Sequence, residues 1–251
     1  MKPLLRLTAI LSAALLSACA SSGMDIAQPD AMMIDNANNF FARARYAQAV
    51  DLYRKSVEQN PDSPYRKGAA LGLADALYKE KEYFEAALYY ERFTELYPLD
   101  PATPRAYFYL AMCHYNGVHT PDRDQTNTKK AKEALNRFIE KYPNDRLTPF
   151  AKKYTAEMEL ILIESEMEII RFYHKTNKNQ AAIWRIKEHI KQHPNSPFME
   201  EALFIMGECQ YREQAYRSAA STLITLLEKH PKGEYSASAA ELASAIKLQG
   251  K

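Results

Sequence analysis

Residues 86–98, "AALYYERFTELYP", and residues 131–143, "AKEALNRFIEKYP", share an opening alanine, a helical apolar period and a proline twelve positions after the alanine. The same offset joins Ala49 to Pro61, Ala182 to Pro194 and Ala219 to Pro231, so one spacing occurs five times. Eight residues after each alanine stand Val57, Thr94, Ile139, Ile190 and Leu227, apolar in four of five copies, as a single buried helical face requires. Three residues before it, Tyr46, Tyr83 and Tyr216 recur, with Thr128 and Asn179 in the divergent copies. Nine residues upstream of those tyrosines lie Ala37, Ala74 and Gly207, small enough for a preceding helix to approach closely. Each unit therefore reads helix, turn, helix, proline. Proline ends the second helix because it lacks an N–H and bars the residue before it from the helical region.

Successive repeat prolines are 37, 45, 51 and 37 residues apart, close to the period of about 34 residues of tetratricopeptide repeats. The small-residue, alanine and proline pattern resembles that family. The resemblance implies an all-α fold, a superhelix of five tetratricopeptide-like helix pairs with a groove suited to other polypeptides. Seventeen tyrosines and only seven glycines agree with packed helices.

The first residues, "MKPLLRLTAILSAALLSACASS", carry Lys2 and Arg6, an apolar run from Leu7 to Leu16, and small residues before Cys19. This is the pattern of a secretory signal peptide over residues 1–18, too short to span a membrane. Leu16-Ser17-Ala18-Cys19 resembles the lipobox of bacterial lipoproteins, in which the chain is cleaved before the cysteine and its thiol carries diacylglycerol. Several acyl chains would anchor the protein stably to a membrane. No aspartate follows Cys19, which resembles lipoproteins sorted to the outer membrane and puts the body in the periplasm. Lys2 and Arg6 are the only charges in the leader, so its removal leaves 31 basic residues against 31 acidic ones. That balance gives no global attraction to nucleic acid. Residues 19–33 read as a lipidated flexible tether, 34–146 as repeats 1–3, and 147–251 as a linking helix with repeats 4 and 5.

The third unit departs from the period. Ala111 holds the small-residue position and Thr128 the tyrosine position, seventeen apart instead of nine, with the extra residues within Asn116–Asn127. They overlap "PDRDQTNTKKAKE", residues 121–133, where Asp122, Asp124, Thr126, Thr128 and Glu133 stand at the first, third, fifth, seventh and twelfth places of a calcium loop. Asn127 suits the turn position, but Lys129, Lys130 and Lys132 do not suit a cation site. Asp122-x-Asp124 also resembles the nucleophile motif of aspartate phosphotransferases, which needs the end of a buried strand, not a helical array. The favoured reading is a loop in which Asp122, Arg123 and Asp124 pair among themselves and Thr126 or Thr128 caps a helix starting at Lys129.

Taken together, the lipobox, five repeat units, the Tyr97-Pro98 and Tyr142-Pro143 endings, "NPDSPY", "HPNSPF" and the "DRDQT" insertion resemble the BamD family, lipoproteins of the outer-membrane β-barrel assembly machine. Asn60, His193 and His230 depart from the tyrosine before the repeat proline, and the stretch from Phe150 to Lys175 is long and rich in glutamate. The resemblance implies a non-catalytic scaffold, lipid-anchored at Cys19. Its partners would be the BamA-like core subunit through its periplasmic domains, unfolded outer-membrane proteins, and further assembly lipoproteins. The N-terminal units would meet the aromatic C-terminal signal of substrates, with Tyr78, Tyr107, Tyr109 and Tyr115 as candidates beside Arg105, Phe108, Tyr89 and Tyr90. Amphipathic rings suit that role, and ordinary interhelix packing is the alternative. The C-terminal units would dock on the core subunit, with Trp184 and Arg185 as candidates, a typical hot-spot pair.

Cys113 and Cys209 hold the same place two units apart, too far for a disulfide, and are expected to be free packing residues. His189 and His193 stand at i and i+4, a spacing that can hold zinc. No adjacent glutamate completes a protease motif, so packing and helix-end roles are the expectation, with neither metal nor cofactor. No Ser/His/Asp set, Gly-rich phosphate loop or Cys-x-x-Cys supports catalysis. Two other functions remain open. One is a repeat lipoprotein scaffolding pilus secretin assembly or cell-wall coordination. The other is an enzyme using Asp122 and Asp124 with a metal on phosphate.

Overall fold

The computed structural model describes residues 30–249, so the leader, Cys19 and the tether up to residue 29 lie outside the described residues. Eleven helices occupy the described chain: α1 (Asp30–Ala42), α2 (Tyr46–Gln59), α3 (Arg66–Lys79), α4 (Tyr83–Leu96), α5 (Thr103–Tyr115), α6 (Thr126–Lys141), α7 (Thr148–Lys175), α8 (Asn179–Gln192), α9 (Met199–Arg212), α10 (Tyr216–Lys229) and α11 (Ser236–Gln249). The fold is all-α, five helix pairs followed by a last helix. No helix among the described residues is long and apolar enough to cross a membrane. The chain divides into two compact units, one ending at Ala76 and one beginning at Leu77.

The repeated alanines all lie in the interior. Ala49, Ala86, Ala131, Ala182 and Ala219 are all 0% exposed. A methyl side chain there lets a second helix come near at no rotamer cost. The ends of the second helices are equally uniform. Asn60, Tyr97, Tyr142, His193 and His230 leave the helical region with φ between −124° and −132°, as a residue before proline must. Each still donates its N–H to the carbonyl four residues back, and its own carbonyl accepts the N–H three residues on. A side chain then caps the next helix: Ser63, Asp100, Asp145 and Ser196 each accept the N–H two residues ahead. In the fifth copy Gly233 has no side chain to offer, and the Glu200 carboxylate accepts from Tyr235 N–H at 2.7 Å instead. It fills the space a Cβ on Gly233 would need.

Within the helix pairs, Ala44, Lys81, Asn177 and Gln214 adopt φ of 56° to 67°. The next residue's N–H reaches the carbonyl five back in each, from Arg45 to Phe40 and from Glu82 to Leu77, for instance. These are Schellman turns made without glycine. The third pair has the insertion there instead.

In the first unit, Tyr53 donates to Asn38 Oδ1 at 2.6 Å and its ring occupies the space that a Cβ on Gly72 would need. The tether was expected to run to residue 33, but α1 already begins at Asp30. The cause is local: the Asp30 carboxylate accepts from Ser56 Oγ at 2.7 Å, Asn60 Nδ2 at 3.2 Å and Ser63 Oγ, fixing the start of α1 to the end of α2. These donors, the Ser63 hydroxyl foremost, hold its carboxyl below the usual range.

In the second unit, consecutive helices pack in order from α4 to α11. The 28-residue α7 serves two cores. Ala151 and Met158 join Phe108, Ala111, Leu135 and Phe138, whereas Met167 and Ile170 join Ile186, Leu203, Leu223 and Leu226. Arg171 of α7 also forks onto both carboxylate oxygens of Glu201 on α9, each at 2.6 Å.

Two glycine substitutions should act in opposite directions. A Cβ on Gly207 would lie 2.6 Å from Leu223 Cδ2, a fully buried side chain, so Gly207→Ala should cost about 1–3 kcal/mol in a denaturant titration. A Cβ on Gly68 would meet nothing within 4 Å among the described residues, and Gly68→Ala should raise stability by up to about 1 kcal/mol through helix propensity.

Candidate functional site

The tyrosines expected to meet substrate do not form one patch. Tyr78 and Tyr109 touch edge to face with centroids 5.1 Å apart, and Tyr109 stacks on Tyr90 at 5.9 Å. The Tyr78 hydroxyl accepts from Asn116 Nδ2 at 3.1 Å, and the Arg105 guanidinium lies 5.7 Å from the Tyr109 ring. Tyr107 instead contacts Tyr142, and Lys141 Nζ donates to its hydroxyl at 3.0 Å. Tyr115 packs on Tyr154 at 4.8 Å and donates to Glu157 Oε1 at 2.9 Å. Burial and that carboxylate push the Tyr115 hydroxyl up to about 12, so it stays a donor throughout the physiological range. All four rings are half-buried. They line α5 and its neighbours as three separate contacts.

Beside them lies an apolar groove that the periodicity did not reveal. Tyr83, Phe84, Ala87 and Leu88 of α4 and Leu110, Cys113 and His114 of α5 line a space of about 380 Å³. Phe84 is 93% exposed and Leu88 48% exposed. They stand at i and i+4, off the buried stripe of Ala86, Tyr90 and Phe93. That pair was the signal the sequence offered.

Trp184 and Arg185 stand outward on α8. The indole is 59% exposed, with the Arg185 guanidinium 5.4 Å from its centroid, while Ile183, Ile186 and His189 turn inward.

The insertion is folded differently from expectation. The helix starts at Thr126, not Lys129, because Asp124 Oδ2 accepts the Thr126 N–H at 3.1 Å and Oδ1 accepts its hydroxyl at 3.0 Å. Asp122 and Asp124 are bonded to Thr120 and Thr126 more than to Arg123, and those bonds hold both carboxyls below the usual range. Gln125 ties the loop to the Thr120 and Arg123 carbonyls and accepts from the buried Thr128 hydroxyl at 2.7 Å. Asn127 donates to the Gly117 carbonyl at 2.7 Å. Thr126, Thr128 and Glu133 all lie on α6, so they cannot wrap around a calcium ion as one loop.

His189 and His193 do find a glutamate, on another helix. Glu166 of α7 lies 3.1 Å from His189 Nδ1 and 3.3 Å from His193 Nε2. Sequence adjacency gave no sign of it. Cys113 and Cys209 are both free and buried, and burial pushes their thiols up to about 12 and about 11.

Similarity to known proteins extends across most of the chain. Residues 27–215 match the family described as YfiO, outer membrane lipoprotein, and residues 201–233, which contain most of α9 and all of α10, match a tetratricopeptide repeat. The outer membrane protein assembly factor BamD of Caulobacter vibrioides is 29% identical over 231 residues, 87% of this chain and 75% of that protein. The protein of the same name from Neisseria gonorrhoeae is 28% identical, covering 88% of this chain and 89% of its own length. The one from Rickettsia prowazekii is also 28% identical, with 81% and 84% covered.

The raised thiols predict poor reactivity. Because alkylation requires thiolate, lifting a thiol from about 8.5 to about 11 or higher cuts its rate at pH 8 by at least about a hundredfold. Folded Cys19→Ser protein should thus resist iodoacetamide at Cys113 and Cys209, and denaturant should release both; mass spectrometry reads the outcome.

Proposed function

The chain belongs to the outer membrane lipoprotein family that it matches over residues 27–215, and from that premise we propose that it is a non-catalytic assembly factor for outer membrane proteins. It would be lipid-anchored at Cys19 on the periplasmic face of the outer membrane. One observation carries this reading: relatives named as assembly factors align over most of this chain and three quarters or more of their own lengths. The repeat architecture supplies helix faces, not a reaction centre.

On this reading, extended segments of unfolded outer membrane proteins are received along α4 and α5. Half-exposed Tyr78, Tyr107, Tyr109 and Tyr115 offer ring area with polar edges, and Phe84 and Leu88 offer an apolar groove. Trp184 and Arg185 would meet the periplasmic domains of the barrel-forming core subunit. An exposed indole carrying a guanidinium is the composition of an interface anchor. Further assembly lipoproteins would join the same complex.

Affinity purification of the tagged chain from membranes tests the reading. A large barrel protein should co-purify, and Trp184→Ala with Arg185→Glu should reduce its recovery at least about tenfold, circular dichroism staying unchanged. A photo-crosslinker at position 84 or 109 should capture substrate chains with an aromatic C-terminus, and not chains from which that end has been removed. Recovery of a secretin or of cell-wall enzymes in place of a barrel protein would move the chain to the pilus or cell-wall reading.

A further inference from the structure

The place four residues before the repeat proline's predecessor, together with the predecessor itself, is where the units differ most in chemistry. It holds Ser56 and Asn60, Phe93 and Tyr97, Phe138 and Tyr142, His189 and His193, and Leu226 and His230. In the second and third units the pair is an aromatic contact, with centroids 5.1 and 5.6 Å apart. In the first and fourth it is polar, and a carboxylate from the preceding helix closes on it. Asp30 takes Ser56, Asn60 and Ser63, all neutral donors. Glu166 faces two imidazoles instead.

We propose that Glu166, His189 and His193 bind a divalent transition-metal ion of the zinc class between α7 and α8. Their three ligating atoms all lie within 4.8 Å of one another. Ligands about 2.0–2.1 Å from a tetrahedral zinc ion stand roughly 3.3–3.4 Å apart. The carboxylate-to-imidazole distances are 3.1 and 3.3 Å, already near that edge length. His189 is held as a ligand should be: its ring is 2% exposed, and Nε2 is engaged by Ser196 Oγ at 2.9 Å, leaving Nδ1 toward the site. A hydrogen bond on the far nitrogen is the usual orienting contact of a metal-bound imidazole. Ser196 is itself fixed by the Phe198 N–H at 3.1 Å. Among the described residues, the buried His193 Nε2 has no hydrogen-bond partner, although it points at the same carboxylate oxygen. A cation shared among the three atoms gives that nitrogen a partner. Two imidazoles and a carboxylate favour zinc, cobalt or nickel over calcium or magnesium, which take oxygen ligands. Three protein ligands leave a fourth position for water or for a side chain of a bound protein.

The test uses the purified chain and cobalt(II) or zinc(II) alone. One cobalt per chain should bind and show the intense visible absorption of tetrahedral coordination, and zinc should displace it. Glu166→Gln and His193→Tyr should each lower affinity at least about tenfold and abolish the band. His193→Tyr places there the residue that the second and third units carry, and Glu166→Gln keeps the side chain's shape, so at least one variant retains the fold. Zinc should also raise the melting temperature of the parent chain and not of the variants. Equal binding by parent and variants, or binding without the tetrahedral band, overturns the proposal. So does a parent chain whose melting zinc leaves unchanged.

Discussion

The structure depends on how near two helices can come at one alanine per unit. All five of these alanines are fully buried, and in a close-packed interior a larger side chain at such a position forces its neighbours to shift. A helix pair of this kind has too little apolar surface to be stable alone. Close approach at alanine converts a modest stripe into a core shared with the next helix. Where the small residue on the first helix becomes Ile170, in the fourth unit, α7 is also longest and contributes to two cores.

The second constraint is the proline. It ends the helix, sets the residue before it at one non-helical conformation, and so repeats the same turn five times. Because the backbone there is fixed by proline, the side chains of that turn are free to vary. Serine, aspartate and glycine all serve at the capping position, the glycine by admitting Glu200. The same freedom lets neighbouring positions hold hydroxyl and amide, aromatic, or imidazole groups. Differences in chemistry between units sit on a backbone that does not change.

Side-chain partners were far less legible than helices. The alanine-to-proline offset marked the second helix of each pair, and the seventeen-residue gap located the insertion. The helix of that unit still began three residues earlier than read, since Asp124 and not a threonine provides the first acceptor. Tyr78 and Tyr109 do meet, whereas Tyr107 and Tyr115 each find a partner on another helix. Phe84 and Leu88 were readable as a pair off the buried stripe, but their exposure depends on what packs beside α4. The start of α1 depends on three donors that lie 26 to 33 residues away.

What the sequence determined by itself is whatever is local: helix period, proline stop and small-residue approach. These are set by steric rules acting within a few residues, so they can be read from spacing alone. Tertiary structure alone decided which polar groups meet across helices. Glu166 lies 23 residues from His189, and no spacing rule relates them. Only the packing of α7 against α8 brings that carboxylate to both imidazoles, because contacts between helices depend on how two periodic surfaces are rotated against each other, and that rotation is fixed by the whole core.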